Sequence, residues 1–170
     1  IVMINETTKG VLIKGINLDK INDYDFLINN IVSGSLKNLK KGSIIIGNEL
    51  AVTLDVTVGD TINILSSAFI ETPLGVFPKQ SNFFISAIFN SGFYEFDQNI
   101  IFQNINDTLS FFDKEKKDLS LEIYLDKPLE VDRFKKEIEM MGKSFYVYSW
   151  TDINKSFFGA LKVERNVMFI

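Results

Sequence analysis

The stretch Glu71-Thr72-Pro73-Leu74-Gly75-Val76-Phe77-Pro78 decides how this chain folds, because it separates two runs that are typical of β-strands. The runs cover residues 60–66 before it and 82–89 after it. Proline cannot donate a hydrogen bond to a strand ladder, so the two prolines exclude the stretch from the middle of a sheet. We predict a stiff, projecting hairpin with an apolar tip, and we call residues 71–78 the hook. The alternative is an ordinary turn whose leucine and phenylalanine fold back onto the body.

Length and composition indicate a folded globular chain. Its 170 residues suit one domain, or one domain with an inserted subdomain. The hydrophobic fraction of 46% and the 16 phenylalanines are typical of a chain that buries a core. The net charge of −4 arises from interspersed charges without a basic stripe, which argues against nucleic acid as a partner.

The residue types that the chain lacks restrict its chemistry. It contains no cysteine and no histidine, which removes thiol chemistry, the commonest general base and the commonest metal ligand. Glu95 and Asp97 would share one face of a strand and could hold a cation, and Asp55 and Asp60 flank a turn. No third acid converges on either pair, so we interpret both pairs as solvated. We therefore predict no enzyme activity, no cofactor and no metal site.

The first two thirds of the chain are predicted to be rich in strands. Residues 11–16 are nearly all apolar, which predicts a strand in the middle of a sheet. Residues 23–32 predict a helix with Asp23 at its N-cap and Gly34 closing it. A second apolar run, Ser43–Gly47, predicts a buried strand. The remaining predicted elements are strands at 2–4, 61–65, 83–89 and 99–102, and helices at 48–53 and 106–112.

The last third of the chain predicts a βαβ unit. Its strands would cover residues 119–125, where apolar and polar residues alternate at the start, and residues 144–148. Between them, apolar residues recur at helical spacing over 131–141, and Gly142 ends the helix. Thr151 is predicted to cap a final helix that continues to the end of the chain without a stop signal. No run of 18 apolar residues occurs, so we expect a soluble segment of a larger polypeptide.

Several phrases of the sequence follow one another in an informative order. They are Gly10-Val11-Leu12-Ile13-Lys14-Gly15-Ile16, Ile45-Ile46-Gly47-Asn48-Glu49-Leu50-Ala51, Val58-Gly59-Asp60, Thr72-Pro73-Leu74-Gly75 with Pro78, Ser91-Gly92-Phe93-Tyr94-Glu95-Phe96-Asp97, Trp150-Thr151 and Glu164-Arg165-Asn166-Val167-Met168. Together these phrases resemble the periplasmic domain of the lipoprotein-releasing ABC permeases, the LolC/LolE family, which is related to MacB. The resemblance covers nearly the whole chain.

This resemblance implies an α+β fold, that of a MacB-like periplasmic domain, with two parts. Residues 1–42 and 103–170 would form a porter-like region that contains the βαβ unit and leads into a transmembrane helix. Residues 43–102 would form a β-rich, sabre-like insert that carries the hook. Transmembrane helices would lie just outside both ends, so the chain would be a periplasmic segment of a bacterial inner-membrane protein.

The resemblance also implies a role without catalysis. The parent permease would release lipoproteins from the inner membrane and pass them to a soluble, LolA-like periplasmic carrier, while a separate cytoplasmic subunit hydrolyses ATP. The implied partners are the carrier, the lipoprotein cargo, a partner permease subunit and that ATPase. Two alternatives stay open. One is a MacB-like or cell-division-type permease domain that transmits force to a different partner or cargo, and the other is a binding module without membrane attachment.

In this family a protruding hairpin recruits the carrier, and the hook matches that hairpin through Thr72-Pro73-Leu74-Gly75 and Pro78. The match has departures. Glu71 stands where the carrier-recruiting form has an aromatic residue, and residues 79–81 supply one lysine and no arginine. The family's other form contacts the lipoprotein instead, so either role is open for this chain. The predicted partner-binding residues are Glu71, Thr72, Pro73, Leu74, Gly75, Val76, Phe77, Pro78, Lys79 and Gln80.

Overall fold

The computed structural model describes residues 1–4, 7–142 and 146–168. It divides into two compact units, unit 1 with residues 1–119 and unit 2 with residues 120–170. The strands are β1 (Val2–Ile4), β2 (Thr7–Lys9), β3 (Leu12–Ile16), β4 (Ile31–Gly34), β5 (Ser43–Gly47), β6 (Thr61–Thr72), β7 (Gly75–Phe89) and β8 (Ile100–Asn104). The helices are α1 (Asp25–Asn29), α2 (Asn48–Leu54), α3 (Tyr94–Asn99), α4 (Ile105–Phe112), α5 (Val131–Met141), α6 (Trp150–Ile153) and α7 (Lys155–Met168).

The strands of unit 1 form a mixed sheet in the order β2-β1-β6-β7-β5-β8-β3, and β4 pairs with β7 beside this path. Strand β7 organises the sheet because it is 15 residues long and changes neighbours along its length. Its first part pairs antiparallel with β6, from Gly75 opposite Thr72 to Phe84 opposite Thr61. Its last part pairs antiparallel with β4 and parallel with β5. The hook is therefore the end of a hairpin that continues into the centre of the sheet.

The core lies on both faces of this sheet. Strand β5 demonstrates this, because all five of its residues are buried. Ile44 and Ile46 pack in one cluster, and Ile45 packs in a second cluster that contains Phe89 and Phe102. Successive side chains of a strand point to opposite faces, so burial on both faces requires a continuous apolar run. The predicted buried strand at Ser43–Gly47 is confirmed.

Strand β3 differs from its prediction in position. It lies at an edge of the described sheet, where it pairs parallel to β8. Leu12 at its start is exposed and Ile16 at its end is buried, so the cover over this strand is partial. The prediction of a central strand was wrong. An apolar run indicates that the side chains of a strand are covered, but it does not indicate how many strands flank that strand in the sheet.

The predicted helix over residues 23–32 was wrong in its extent. Helix α1 covers only Asp25–Asn29, with Tyr24 at its N-cap. Strand β4 follows immediately and contains Gly34 as its last residue. Ile31 pairs with Phe89 of β7, so pairing in the sheet overrides the helical pattern there. The other elements predicted for the first two thirds are confirmed with shifted bounds, and β6 and β7 extend well beyond their predicted limits.

Unit 2 contains a confirmed helix and a strand prediction that was wrong. Helix α5 covers Val131–Met141 with Gly142 at its C-cap, as predicted. Residues 119–125 form no strand although the structure describes all of them, and Leu121 is exposed. Apolar alternation alone cannot hold a strand, because the ladder needs a partner. In the second predicted strand, residues 146–148 are not in a strand, and residues 144 and 145 lie outside the described residues.

The last helical segment of unit 2 begins two residues earlier than predicted, with Ser149 rather than Thr151 at the N-cap of α6. The Asp152 N–H donates to Ser149 Oγ (3.2 Å), and the Ser149 N–H donates to Asp152 Oδ2 (2.9 Å), which completes a capping box. Lys135 Nζ also donates to Asp152 Oδ2 (2.7 Å). These bonds, that of Lys135 foremost, hold the pKa of the Asp152 carboxyl well below its ordinary value. The network ties α5 to α6 within unit 2.

The mixture of helices with a mixed sheet confirms the predicted α+β class. The division into a region of residues 1–42 and 103–170 and an insert of residues 43–102 stays a prediction. Within the described ranges, no helix combines the length and the apolar character that a membrane crossing needs.

Candidate docking site

The hook is the end of the β6–β7 hairpin, as the sequence predicted. The strand pairs at its end are Thr72 with Gly75, Glu71 with Val76, Ile70 with Phe77 and Phe69 with Pro78. Pro73 lies in the turn between the strands. Pro78 lies in β7. At this position the described part of the sheet has β6 on one side of β7 and no strand on the other, because β4 and β5 pair with residues 84–89 of β7. Both prolines thus lie outside the middle of the sheet, as the missing proline N–H requires.

The turn of the hook is closed by the side chain of Thr72. The Leu74 N–H donates to Thr72 Oγ1 (3.3 Å), and Thr72 Oγ1 donates to the Gly75 carbonyl (2.8 Å). Gly75 has a φ of 129°, a conformation that residues with a Cβ rarely adopt. The proline limits the φ angle of the first turn residue. Threonine, proline and glycine therefore specify this turn locally, without help from the body of the protein.

The apolar side chains of the hook are exposed to solvent. Leu74 at the tip is 90% exposed and Phe77 is 50% exposed. The alternative that these two residues fold back onto the body was therefore wrong. Residues paired directly across two strands point to the same face of the hairpin. Ile70 and Phe77 thus cover one face and Val76 covers the other, so the hook offers apolar surface on both faces.

The structure places the ten predicted partner-binding residues in two environments. Residues 71–78 and Gln80 are exposed. Lys79 is half-buried, and its Nζ donates to the Ser110 carbonyl of α4 (2.5 Å). The resemblance implied Lys79 as a partner-binding residue, and that role stays a prediction; in the structure its ammonium group is bound within unit 1. The sequence did not predict Ser110 as the partner of Lys79, because this bond uses the backbone carbonyl, which every residue has.

Two of the four acidic residues that the sequence singled out, Asp97 and Asp60, accept hydrogen bonds from the backbone of unit 1. Asp97 is buried, and its carboxylate accepts bonds from the Ser91 N–H (3.0 and 3.1 Å) and from Ser91 Oγ (2.6 Å). The interpretation of Asp97 as solvated was wrong, because it lies in helix α3 rather than in a strand and turns inward. The Asp60 carboxylate accepts a bond from the Thr57 N–H (2.7 Å). In the part of the chain that the structure describes, no group of three or more potential metal ligands occurs.

A second exposed apolar surface lies on the loop before α3 and on α3 itself. It contains a shallow groove of about 620 Å³, with Phe93 exposed on its wall. Its lining residues are Phe93, Tyr94, Glu95, Phe96, Asn99 and Ile100. The sequence predicted no partner surface here, since three aromatic residues on a short segment are as typical of a core as of a surface.

An α+β body that carries an exposed apolar hairpin is the class of domain that the resemblance implied. No protein-family model matches the chain. Three relatives are each named lipoprotein-releasing system transmembrane protein LolC. The LolC protein of Xylella fastidiosa (strain 9a5c) is 28% identical over 169 residues, which is 97% of this chain and 40% of that protein. The LolC protein of Neisseria meningitidis serogroup B is 27% identical over 169 residues, 95% of this chain and 40% of that protein.

The LolC protein of Buchnera aphidicola subsp. Acyrthosiphon pisum is 31% identical over 162 residues, 91% of this chain and 39% of that protein. The chain thus spans about two fifths of the length of the relatives that it matches. Over this shared region, the chain is similar in sequence to the LolC proteins of lipoprotein-releasing systems, which supports the family that the resemblance implied.

Proposed function

We propose that this chain is a non-catalytic periplasmic domain of an ABC permease that releases lipoproteins from the inner membrane, and that its hook docks a periplasmic lipoprotein carrier. One observation carries the proposal: a locally specified hairpin holds apolar side chains in solvent on both of its faces. Exposed apolar side chains do not stabilise the fold, so this surface is suited to binding a partner.

The shape of the hook favours insertion into a concave partner. A flat partner would cover one face of the hairpin and leave the other in water, whereas a cavity would cover Phe77 and Val76 together. The rigid turn lowers the entropy cost of binding, because few conformations of the hook are lost on docking. A contact of this size suits a transient interface below about 1,200 Å². A weak interface allows a loaded carrier to leave.

The remaining partners of the proposal follow from the family. The lipoprotein cargo, a partner permease subunit and a cytoplasmic ATPase would act through the full-length protein, and ATP hydrolysis would take place in the separate subunit. No nucleic acid takes part, since the charges are mixed and the net charge is −4.

Replacing residues 72–78 by a Gly/Ser loop of equal length tests the proposal. We expect the melting temperature to change by no more than about 2 °C, because the removed side chains are exposed. We expect binding to the LolA-like carrier encoded in the same genome to be lost, measured by biolayer interferometry. Unchanged carrier binding by the folded variant would contradict carrier docking and favour the alternative permease role with a different partner.

Leu74→Asp tests whether apolar contact at the tip drives binding. A charge placed in an apolar cavity is costly, so we expect the dissociation constant for the carrier to rise about 30-fold, the size of a hot-spot effect. The matched control is Val52→Asp on α2, since Val52 is 70% exposed and lies outside the hook. Equal binding by both variants would show that the tip does not enter an apolar site.

A further inference from the structure

The hairpin that carries the hook is interrupted by a bulge. Leu65 pairs with Gln80 and Phe69 pairs with Pro78, so three residues of β6 lie opposite one residue of β7 between these pairs. The three residues are 66–68, and the single residue opposite them is Lys79. Extra residues on one strand bend it and increase its twist. The direction in which the hook points is therefore set at this bulge.

The bulge is an ordered part of unit 1. Ser66 is buried, and the Ala68 N–H donates to Ser66 Oγ (3.0 Å). Helix α4 provides a firm neighbour near this position, because Phe111 of α4 is buried and its ring meets the ring of Phe83 of β7 edge to face at 5.2 Å. The part of β7 on the side of the bulge away from the hook is thus fixed to α4 by core packing.

Lys79 connects the bend to the same helix. Its Nζ donates to the carbonyl of Ser110, which lies in the last turn of α4. Carbonyls in the last turn of a helix lack partners within that helix, and the helix dipole favours a cation there. The regular helical partner of this carbonyl would be the N–H of Lys114, but that group donates to the Leu109 carbonyl (2.8 Å) instead. The lysine therefore fills a position that the end of the helix leaves open.

We propose that Lys79 is a positioning residue of the hook: by binding the Ser110 carbonyl, it holds the bend at residues 66–68 at one angle to α4. The lysine acts on the partner only through the direction of the hook. This inference rests on the proposed function, because the angle matters where the hook must enter a partner. The simpler interpretation is a surface lysine with an incidental hydrogen bond. The two interpretations differ in whether the hook changes its direction when the ammonium group is removed.

Distance measurements between two spin labels separate these interpretations. The chain contains no cysteine, so labels attached at Leu74→Cys and Val52→Cys meet no competing thiol. Leu74 is at the tip of the hook and Val52 is on α2 of the body. Pulsed electron–electron double resonance then reports the distribution of tip-to-body distances in the isolated chain, with no partner present.

We expect Lys79→Met to broaden or shift this distribution, because methionine keeps an unbranched side chain and removes the cation. Lys79→Arg is the matched control, and it should preserve the distribution, since it still donates to a carbonyl. Far-UV circular dichroism confirms that each variant is folded. An unchanged distribution in a folded Lys79→Met variant would overturn the proposal, and Lys79→Leu provides a second variant without a donor if the first does not fold.

Carrier binding by the unlabelled variants separates this proposal from the proposed function. If Lys79→Met changes the distance distribution but the parent chain does not bind the carrier, the positioning role stands and carrier docking fails. If Lys79→Met weakens carrier binding at least tenfold while the distribution is unchanged, the lysine contacts the partner directly and the positioning role is refuted.

Discussion

Gly47→Ala is expected to destabilise unit 1 by about 4 kcal/mol or more, since overpacking against fixed backbone lies at the severe end of single substitutions. Gly47 ends β5, and a Cβ at this position would lie 2.0 Å from the carbonyl oxygen and 2.5 Å from the carbonyl carbon of Asp97. The obstacle is backbone and cannot rotate away. Asp97 is itself held by its bonds to Ser91, so neither segment can move alone.

Urea denaturation followed by far-UV circular dichroism measures this effect, because the signal changes as secondary structure, including that of unit 1, is lost. Gly10→Ala is the matched control, since a Cβ at Gly10 would meet no atom within 4 Å. We expect the control to leave the free energy of unfolding within about 0.5 kcal/mol of the parent value. Equal stability of the two variants would show that Gly47 does not approach the backbone of α3 closely.

Phe89→Ala is expected to lower the free energy of unfolding by about 3–5 kcal/mol, because it removes a fully buried ring and leaves a cavity. Phe89 is the last residue of β7, and its ring packs edge to face against Phe96 (5.8 Å between ring centroids) and Phe102 (5.4 Å). The contact with Phe96 joins the sheet to α3, so its loss also loosens the groove beside that helix.

The matched control for Phe89→Ala is Phe84→Ala, which removes the same side chain from the same strand. Phe84 is 47% exposed, so we expect a loss below about 1.5 kcal/mol. The ratio of the two losses, measured by urea denaturation, tests where β7 passes from the hairpin into the core. Similar losses for the two variants would contradict the burial of Phe89.

The parts of the fold that could be predicted are those with a local cause. Three consecutive isoleucines at 44–46 require cover on both faces of a strand, and β5 has it. The prolines and the glycine of the hook specify a turn by their own backbone limits, and the turn is present. Helix α5 follows from apolar spacing and a glycine at its end. Each of these signals lies within a few residues, so no distant contact was needed.

The parts that could not be predicted depend on contacts between distant residues. Residues 11–16 are as apolar as a central strand but form an edge strand, because the position of a strand depends on which other strands reach it. Residues 31–34 became strand β4 because β7 extends far enough to pair with them. Residues 119–125 alternate as a strand would, yet they form no strand.

The candidate docking site likewise has features that the sequence determined and features that only the tertiary structure decided. The sequence alone determined that residues 71–78 form a stiff, apolar hairpin, because proline, threonine and glycine restrict the backbone wherever they occur. Only the tertiary structure decided that Lys79 binds the end of α4, that Asp97 is buried, and that Leu74 and Phe77 remain in solvent. A side chain's partners and its burial depend on which distant segments pack beside it, and that packing is a property of the whole fold.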